Sequence, residues 1–281
     1  MKLNIKQGSQ EWLELRKKKI TATDCAVIMG LNPWQTPYGL WMQKMGLAPP
    51  NEENEAMREG RRLEPIALER FNWRIGAEFV PAVIINPERE WQMASLDGMY
   101  ENAIVEIKCG AKALEMAKQG IIPDYYKAQL QHQMSVVEVD RMFYYASYGD
   151  EDVSIPVERD PIFIGEMLEK EIAFYKCLQE CEPPAMSKGD YIEKLDDKWN
   201  VCASGYTEAL EGIKFLEEQK EYWKKQLIDL SENKNCKGAG ISLSKRLRKG
   251  TVNYNSIPEI KHINLDNYRK PALEYWQIAI A

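Results

Sequence analysis

In the segment SLDGMYENAIVEIKC, residues 95–109, one acid stands at Asp97, and a second acid and a lysine follow two apart at Glu106 and Lys108. The stretch reads as a β-hairpin. Residues 95–100 and 103–109 are rich in strand formers, and Glu101 with Asn102 supplies a two-residue turn. Side chains alternate along a strand, so Glu106 and Lys108 share one face while Val105, Ile107 and Cys109 take the other. Counting back from the turn pairs Tyr100 with Ala103, Asp97 with Glu106, and Ser95 with Lys108. Opposed Cβ atoms lie roughly 4.5–5.5 Å apart, where like charges repel. Either a divalent cation or a raised pKa on one acid must answer that repulsion. Two acids and a lysine on adjoining strands also suit metal-dependent phosphodiester hydrolysis. Carboxylate oxygens hold hard Mg²⁺, bound metal polarises phosphate and generates hydroxide, and a lysine offsets charge in the transition state. By itself, however, D-x₈-E-x-K is also an ordinary pattern of solvated hairpins, and its surroundings have to decide.

The elements that must position these residues can be laid out along the chain. Its 281 residues are 44% hydrophobic and 28% charged, enough for one large domain or two smaller ones. The formal net charge of -6 means that any nucleic-acid surface is a local basic patch. Six cysteines without CxxC spacing and only two histidines argue against a zinc site, and Cys177 with Cys181 reads as helix packing. The start lacks a signal-peptide core, and no apolar run approaches about 18 residues, which predicts a cytoplasmic protein without membrane contact. Ser9 caps a helix to Lys18 with Trp12 and Leu15 inward and Arg16 toward solvent, and Thr21 with Asp24 forms a capping box for the next. A helix over 56–75 carries an inner stripe of Leu63, Ala67, Phe71 and Ile75, with Glu64 at its border and Pro65 starting or kinking a turn. A helix from Asp124 buries Tyr126, Leu130, Met134 and Val137 with Gln129 alongside, and His132 is expected half-buried rather than acting as a base. Strands are expected over 80–85, 141–149 and 153–157, with Tyr144, Tyr145 and Tyr148 as strand packing. Residues 182–185 read as a linker between a core, 1–185, and an extension, 186–281. In the extension, Tyr206, Ala209, Ile213, Leu216, Lys220, Trp223, Leu227 and Leu230 form a coiled-coil-like seam flawed at Lys220. A hairpin over 238–254 follows, bearing Lys245, Arg246, Arg248 and Lys249, and a strand is expected over 272–280.

The ordered set WLELRKKKITATD, GLNPW, EGRRLEPIALERF, ASLDG, VEIKC and YKAQLQHQM gives the catalytic pattern its context. Over about residues 7–180 the chain resembles the YqaJ-like viral recombinases, which are similar to phage lambda exonuclease, within the PD-(D/E)XK nuclease superfamily. The resemblance implies an α/β fold, a central mixed sheet flanked by helices. It implies Mg²⁺-dependent 5′-to-3′ digestion of one strand of duplex DNA, with Mn²⁺ able to substitute. Asp97 and Glu106 would be the metal acids, Lys108 the catalytic lysine, Glu64 a further metal acid, Ile107 a backbone ligand, and Gln129 the glutamine that touches water or metal. Arg16, Thr23 and Ser95 would receive the 5′-phosphate, as an arginine fork and hydroxyls at a helix start can. The resemblance also implies a single-strand annealing partner and a ring-shaped homo-oligomer, a trimer or tetramer. The cysteine spacing excludes the iron–sulfur cluster of some relatives, and Cys109-Gly110 stands where many relatives have Cys-Pro. A structure-specific or restriction-type endonuclease on the same core, or an idle DNA-binding or partner-docking module, remain as rivals. The four basic residues at 245–249 are expected at DNA phosphates.

Overall fold

The computed structural model of the chain describes residues 1–51, 53–273 and 275, in two units, Met1–Ile192 and Glu193–Ala281. The first is built on a mixed sheet of seven strands: β1 (Lys2–Leu3), β2 (Ile20–Thr21), β3 (Val80–Ile85), β4 (Gln92–Tyr100), β5 (Ala103–Cys109), β6 (Arg141–Tyr148) and β7 (Glu151–Glu158). They lie in the order β1-β3-β4-β5-β6-β7, with β2 beside β4. The pairings β5–β6 and β2–β4 are parallel and the rest antiparallel. Helices α1 (Gln10–Lys18), α2 (Ala22–Ile28), α3 (Pro37–Lys44), α4 (Glu55–Ile75), α5 (Ala111–Lys118), α6 (Asp124–Val137) and α7 (Pro161–Glu180) complete the unit.

The period-two pattern assigns the faces of the central strands. Leu130 and Met134 of α6 pack with Ile104, Met142 and Tyr144, while Ala67 and Phe71 of α4 pack with Val105, Ile107 and Tyr145 on the opposite face. Glu106 therefore looks toward α6, its neighbours on β5 toward α4. The caps at Ser9 and Thr36 accept from the Trp12 and Gly39 amides, and Thr21 with Asp24 forms its capping box. Helix α4 runs unbroken through Pro65, whose ring lies on an exposed side. Ile75 is exposed rather than part of the inner stripe, because α4 ends there at Gly76, in the left-handed region. Tyr144 and Tyr145 are fully buried, but Tyr148, at the strand end, is 53% exposed.

The β4–β5 hairpin departs from simple counting. The ladder holds Tyr100↔Ala103, Met99↔Ile104 and Gly98↔Val105, as the two-residue turn requires, and then stops. On the other edge of β4, two steps of β3 (Val80 to Ala82) meet three of β4 (Met99 to Leu96). One extra residue on β4 makes a bulge at Asp97 and Gly98, and such bulges re-aim side chains. Asp97 and Ser95 are thus not ladder partners of Glu106 and Lys108. Gly98 is required by packing: a Cβ there would sit 2.7 Å from Val105 Cγ1 and 2.9 Å from both Leu68 Cδ1 and Phe79 Cβ.

The second unit holds helix α8 (Asp197–Leu230), capped by Asp196, and a small hairpin of β8 (Cys236–Gly238) and β9 (Ile241–Leu243). The helix carries no buried residue, so its seam is exposed among the described residues. The hairpin is shorter than the sequence pattern suggests and starts earlier. Ala239 and Gly240, at φ 46° and 78°, form the tight turn that suits a two-residue hairpin loop. Lys245, Arg246, Arg248 and Lys249 consequently follow the hairpin in irregular backbone, exposed and without an ion pair among the described residues. The strand expected over 272–280 falls mostly outside the described residues.

Candidate active site

The bulge in β4 turns Asp97 so that its Oδ2 accepts the Ile107 backbone N–H at 2.7 Å. From β5, Glu106 enters the same region with its side chain only 3% exposed. Three donors converge on it: Lys108 Nζ and Gln129 Nε2 reach Oε1 at 2.5 Å each, and Gln133 Nε2 reaches Oε2 at 2.6 Å. Lys108 also donates to Gln129 Oε1 at 3.3 Å and lies 4.6 Å from the centre of the Tyr126 ring. Asp97, Glu106, Lys108 and Gln129 are thereby brought together, as the sequence pattern requires. Glu64, on α4, feels the same charges. Burial and the charge of Glu106 raise its pKa.

The repulsion between the acids is answered unequally. Burial, with the charges of Glu106 and Glu64, holds the Asp97 carboxyl well above the usual range, despite the opposing pull of Lys108 and the Ile107 amide. Burial acts to lower the pKa of Lys108, but Glu106 and Asp97 outweigh it and keep the ammonium charged. Cys109, the next residue on β5, has its thiol pushed up to about 11 by burial and by the charges of Glu64 and Asp97. Asp97, Glu106 and Glu64 act on one another electrostatically and offer carboxylate oxygens alone, the donor chemistry of a hard divalent cation, which would relieve the condition that raises Asp97.

A second group lies along α1 and the start of α2. Arg16 donates to Thr23 Oγ1 at 3.0 Å, and the Thr23 and Thr21 hydroxyls are 3.1 Å apart. Arg16 is half-buried rather than simply solvated, its guanidinium 4.5 Å from the centre of the Trp12 ring. The Trp12 indole N–H donates to Ser95 Oγ at 2.9 Å. Ser95 therefore joins Arg16 and Thr23 through Trp12, not by standing across from Lys108. Trp12 reads in the sequence as a core residue, although its i,i+4 spacing to Arg16 signals the contact.

His132 is fully buried, not half-buried, because α6 is sandwiched between the sheet and its neighbouring helices. Its Nε2–H donates to the Met93 carbonyl at 3.1 Å, and its Nδ1 shares a proton with Glu171 at 2.6 Å. Burial lowers the His132 pKa, but the Glu171 charge and hydrogen bond outweigh it and the net shift is upward. Gln92 donates to the other Glu171 oxygen at 2.6 Å, and Cys25 lies close enough that the Cys25, His132 and Glu171 ligand atoms are all within 4.8 Å of one another. The His–Glu pair is satisfied internally and stands apart from the acids of the site.

Comparison with known proteins finds likeness in both sequence and fold. Residues 11–140 match the model of the YqaJ-like viral recombinase domain. The Bacillus subtilis protein YqaJ is 34% identical over 181 residues, covering 61% of this chain and 57% of its own. Protein R354 of Acanthamoeba polyphaga mimivirus is 27% identical over 154 residues, covering 48% of this chain and 28% of its own. The chain thus spans less than two thirds of either relative. The crystal structure of an alkaline exonuclease, LHK-Exo from Laribacter hongkongensis, superposes with a TM-score of 0.53 at 25% identity, over 62% of this chain and 94% of that one. The mixed sheet flanked by helices is an α/β architecture shared with PD-(D/E)XK-type exonucleases, and residues 11–140 are similar to the YqaJ-like viral recombinase domain.

Proposed function

We propose that the chain is a divalent-metal-dependent exonuclease that digests one strand of linear duplex DNA from its 5′ end and leaves 3′ overhangs for phage-type recombination. The observation that carries this reading is the convergence of Asp97, Glu106, Lys108 and Gln129, with Glu64 in the same field. Asp97, Glu106 and Glu64, with the Ile107 carbonyl, would hold Mg²⁺, or Mn²⁺ in its place. A bound cation of this kind supplies Lewis acidity and a nucleophilic hydroxide. Lys108, kept ionised by its acidic neighbours, offsets charge that grows on the phosphate and orients the attacking water. Gln129 holds Glu106 and presents its amide to the same water. Arg16, Thr23 and Ser95 receive the terminal phosphate, Arg16 through a charge-assisted fork. The working enzyme is a cytoplasmic ring-shaped homo-oligomer, a trimer or tetramer, that hands its product to a single-strand annealing protein.

Incubation of linear and covalently closed duplex with Mg²⁺ tests the activity. Mononucleotides from the linear form alone are expected. Nicked circles would instead indicate an endonuclease, and no product from either would indicate a binding module.

Lys245, Arg246, Arg248 and Lys249 add positive charge to an acidic chain and are assigned to phosphates of the incoming duplex, without base readout. Replacing all four by serine should weaken duplex binding and flatten the dependence of log K on log salt, with a slope change of up to about 0.9 per lost contact. Single-turnover cleavage of bound substrate should stay near wild type. An unchanged salt slope in filter-binding titrations would remove these residues from the DNA surface.

A further inference from the structure

Gln133 lies one helical turn beyond Gln129 on α6 and is fully buried. Its amide nitrogen donates to Glu106 Oε2 at 2.6 Å and reaches the Ser95 carbonyl at 3.4 Å. Gln129 and Lys108 take the other Glu106 oxygen. Each oxygen of the one deeply buried acid in the cluster therefore has its own amide donor. The Gln133 amide has a single workable orientation, because turned over it would set its own oxygen against the carboxylate. In that orientation its Oε1 has no hydrogen-bond partner among the described residues. An apolar side chain of similar volume would fill the same space without that desolvation cost. The amide is explained by the carboxylate it grips.

We infer that Gln133 is a positioning residue for the cation, gripping Oε2 while Gln129 and Lys108 grip Oε1, so that Glu106 meets a divalent cation in one pose. The inference rests on the nuclease reading above. Mg²⁺ demands near-ideal octahedral geometry, so a carboxylate free to swing binds it poorly. Partners that hydrogen-bond a ligating group typically cost roughly 10- to 100-fold in metal affinity when removed.

Gln133→Met keeps the volume and deletes the donor. Calorimetric titration of the full chain with Mn²⁺, without DNA, should show a Kd weaker by roughly 10- to 100-fold. The metal concentration for half-maximal cleavage should rise in parallel, while the rate at saturating metal stays near wild type. A merely structural residue would instead lower the rate at every metal concentration and leave the Kd of the folded protein unchanged. Gln133→Asn leaves an amide one methylene short of Glu106 and should lose the same affinity, which decides the matter where the Met variant does not fold. Wild-type Mn²⁺ affinity in a folded variant overturns the role of Gln133 alone, provided that wild type cleaves. A wild type that neither binds Mn²⁺ nor cleaves overturns the nuclease reading itself.

Discussion

Asp97→Asn should abolish DNA hydrolysis and yet leave the protein at least as stable as wild type at neutral pH. The loss of activity follows from removing one of the carboxylates proposed to hold the cation. Deleting a single preorganised electrostatic group costs roughly 10²–10³-fold, and a weakened cation site costs more. The stability gain follows from the raised Asp97 pKa. A group whose folded pKa lies above its unfolded value binds more protons in the folded state, so its ionisation destabilises the fold as pH rises. The penalty is absent below the unfolded value, about 4, and grows until pH passes the folded value. Asparagine escapes it while its carbonyl still accepts from the Ile107 amide. Glu106→Gln should lose activity equally but melt lower, because its new NH₂ group must face either Gln133 or the pair Lys108 and Gln129, donors in both cases. Single-turnover assays with melting curves from pH 4 to 8 would check both, and residual wild-type turnover in either variant would end the metal-nuclease reading.

Duplex ends bearing a 5′-phosphate should be digested faster than 5′-hydroxyl ends, and Arg16→Ala should erase most of that preference. Arg16 is preset by Thr23 and by the Trp12 ring, so little conformational freedom is lost when it meets an anion. Charge-assisted hydrogen bonds are worth about 1.5–3 kcal/mol, which corresponds to a roughly ten- to hundredfold fall on the phosphorylated substrate. The hydroxyl-ended substrate should lose much less. Initial rates on the two substrates decide it, and a wild type that treats both ends alike would show Arg16 to be misassigned.

The strand pattern, helix caps and two-residue turn at Glu101 and Asn102 were legible because each rests on local chemistry. Alternation correctly placed Glu106 and Lys108 on the face opposite Val105 and Ile107. The bulge at Asp97 was not legible, since it depends on how β4 meets β3, a strand remote from the turn. Neither was the full burial of His132, which comes from the sheet and the helices packed around α6, α7 with its Glu171 among them. Trp12 and Gln133 each carried a signal at i,i+4 spacing, but an apolar stripe and a polar helix position are common enough to hide it. The hairpin in the extension was misplaced because Ala239 is an unusual residue for a positive φ.

Cys109 bears on the chemical durability of the protein. Reactive cysteines attack, and are oxidised, as thiolates. With its pKa at about 11, this thiol is almost wholly protonated at neutral pH. Burial, with the acids that would gather a hard cation, also passivates the sulfur beside them, so peroxide and soft metals such as Cu(I) find a poor target one residue from Lys108. A catalytic strand can thus end in cysteine without becoming a redox liability.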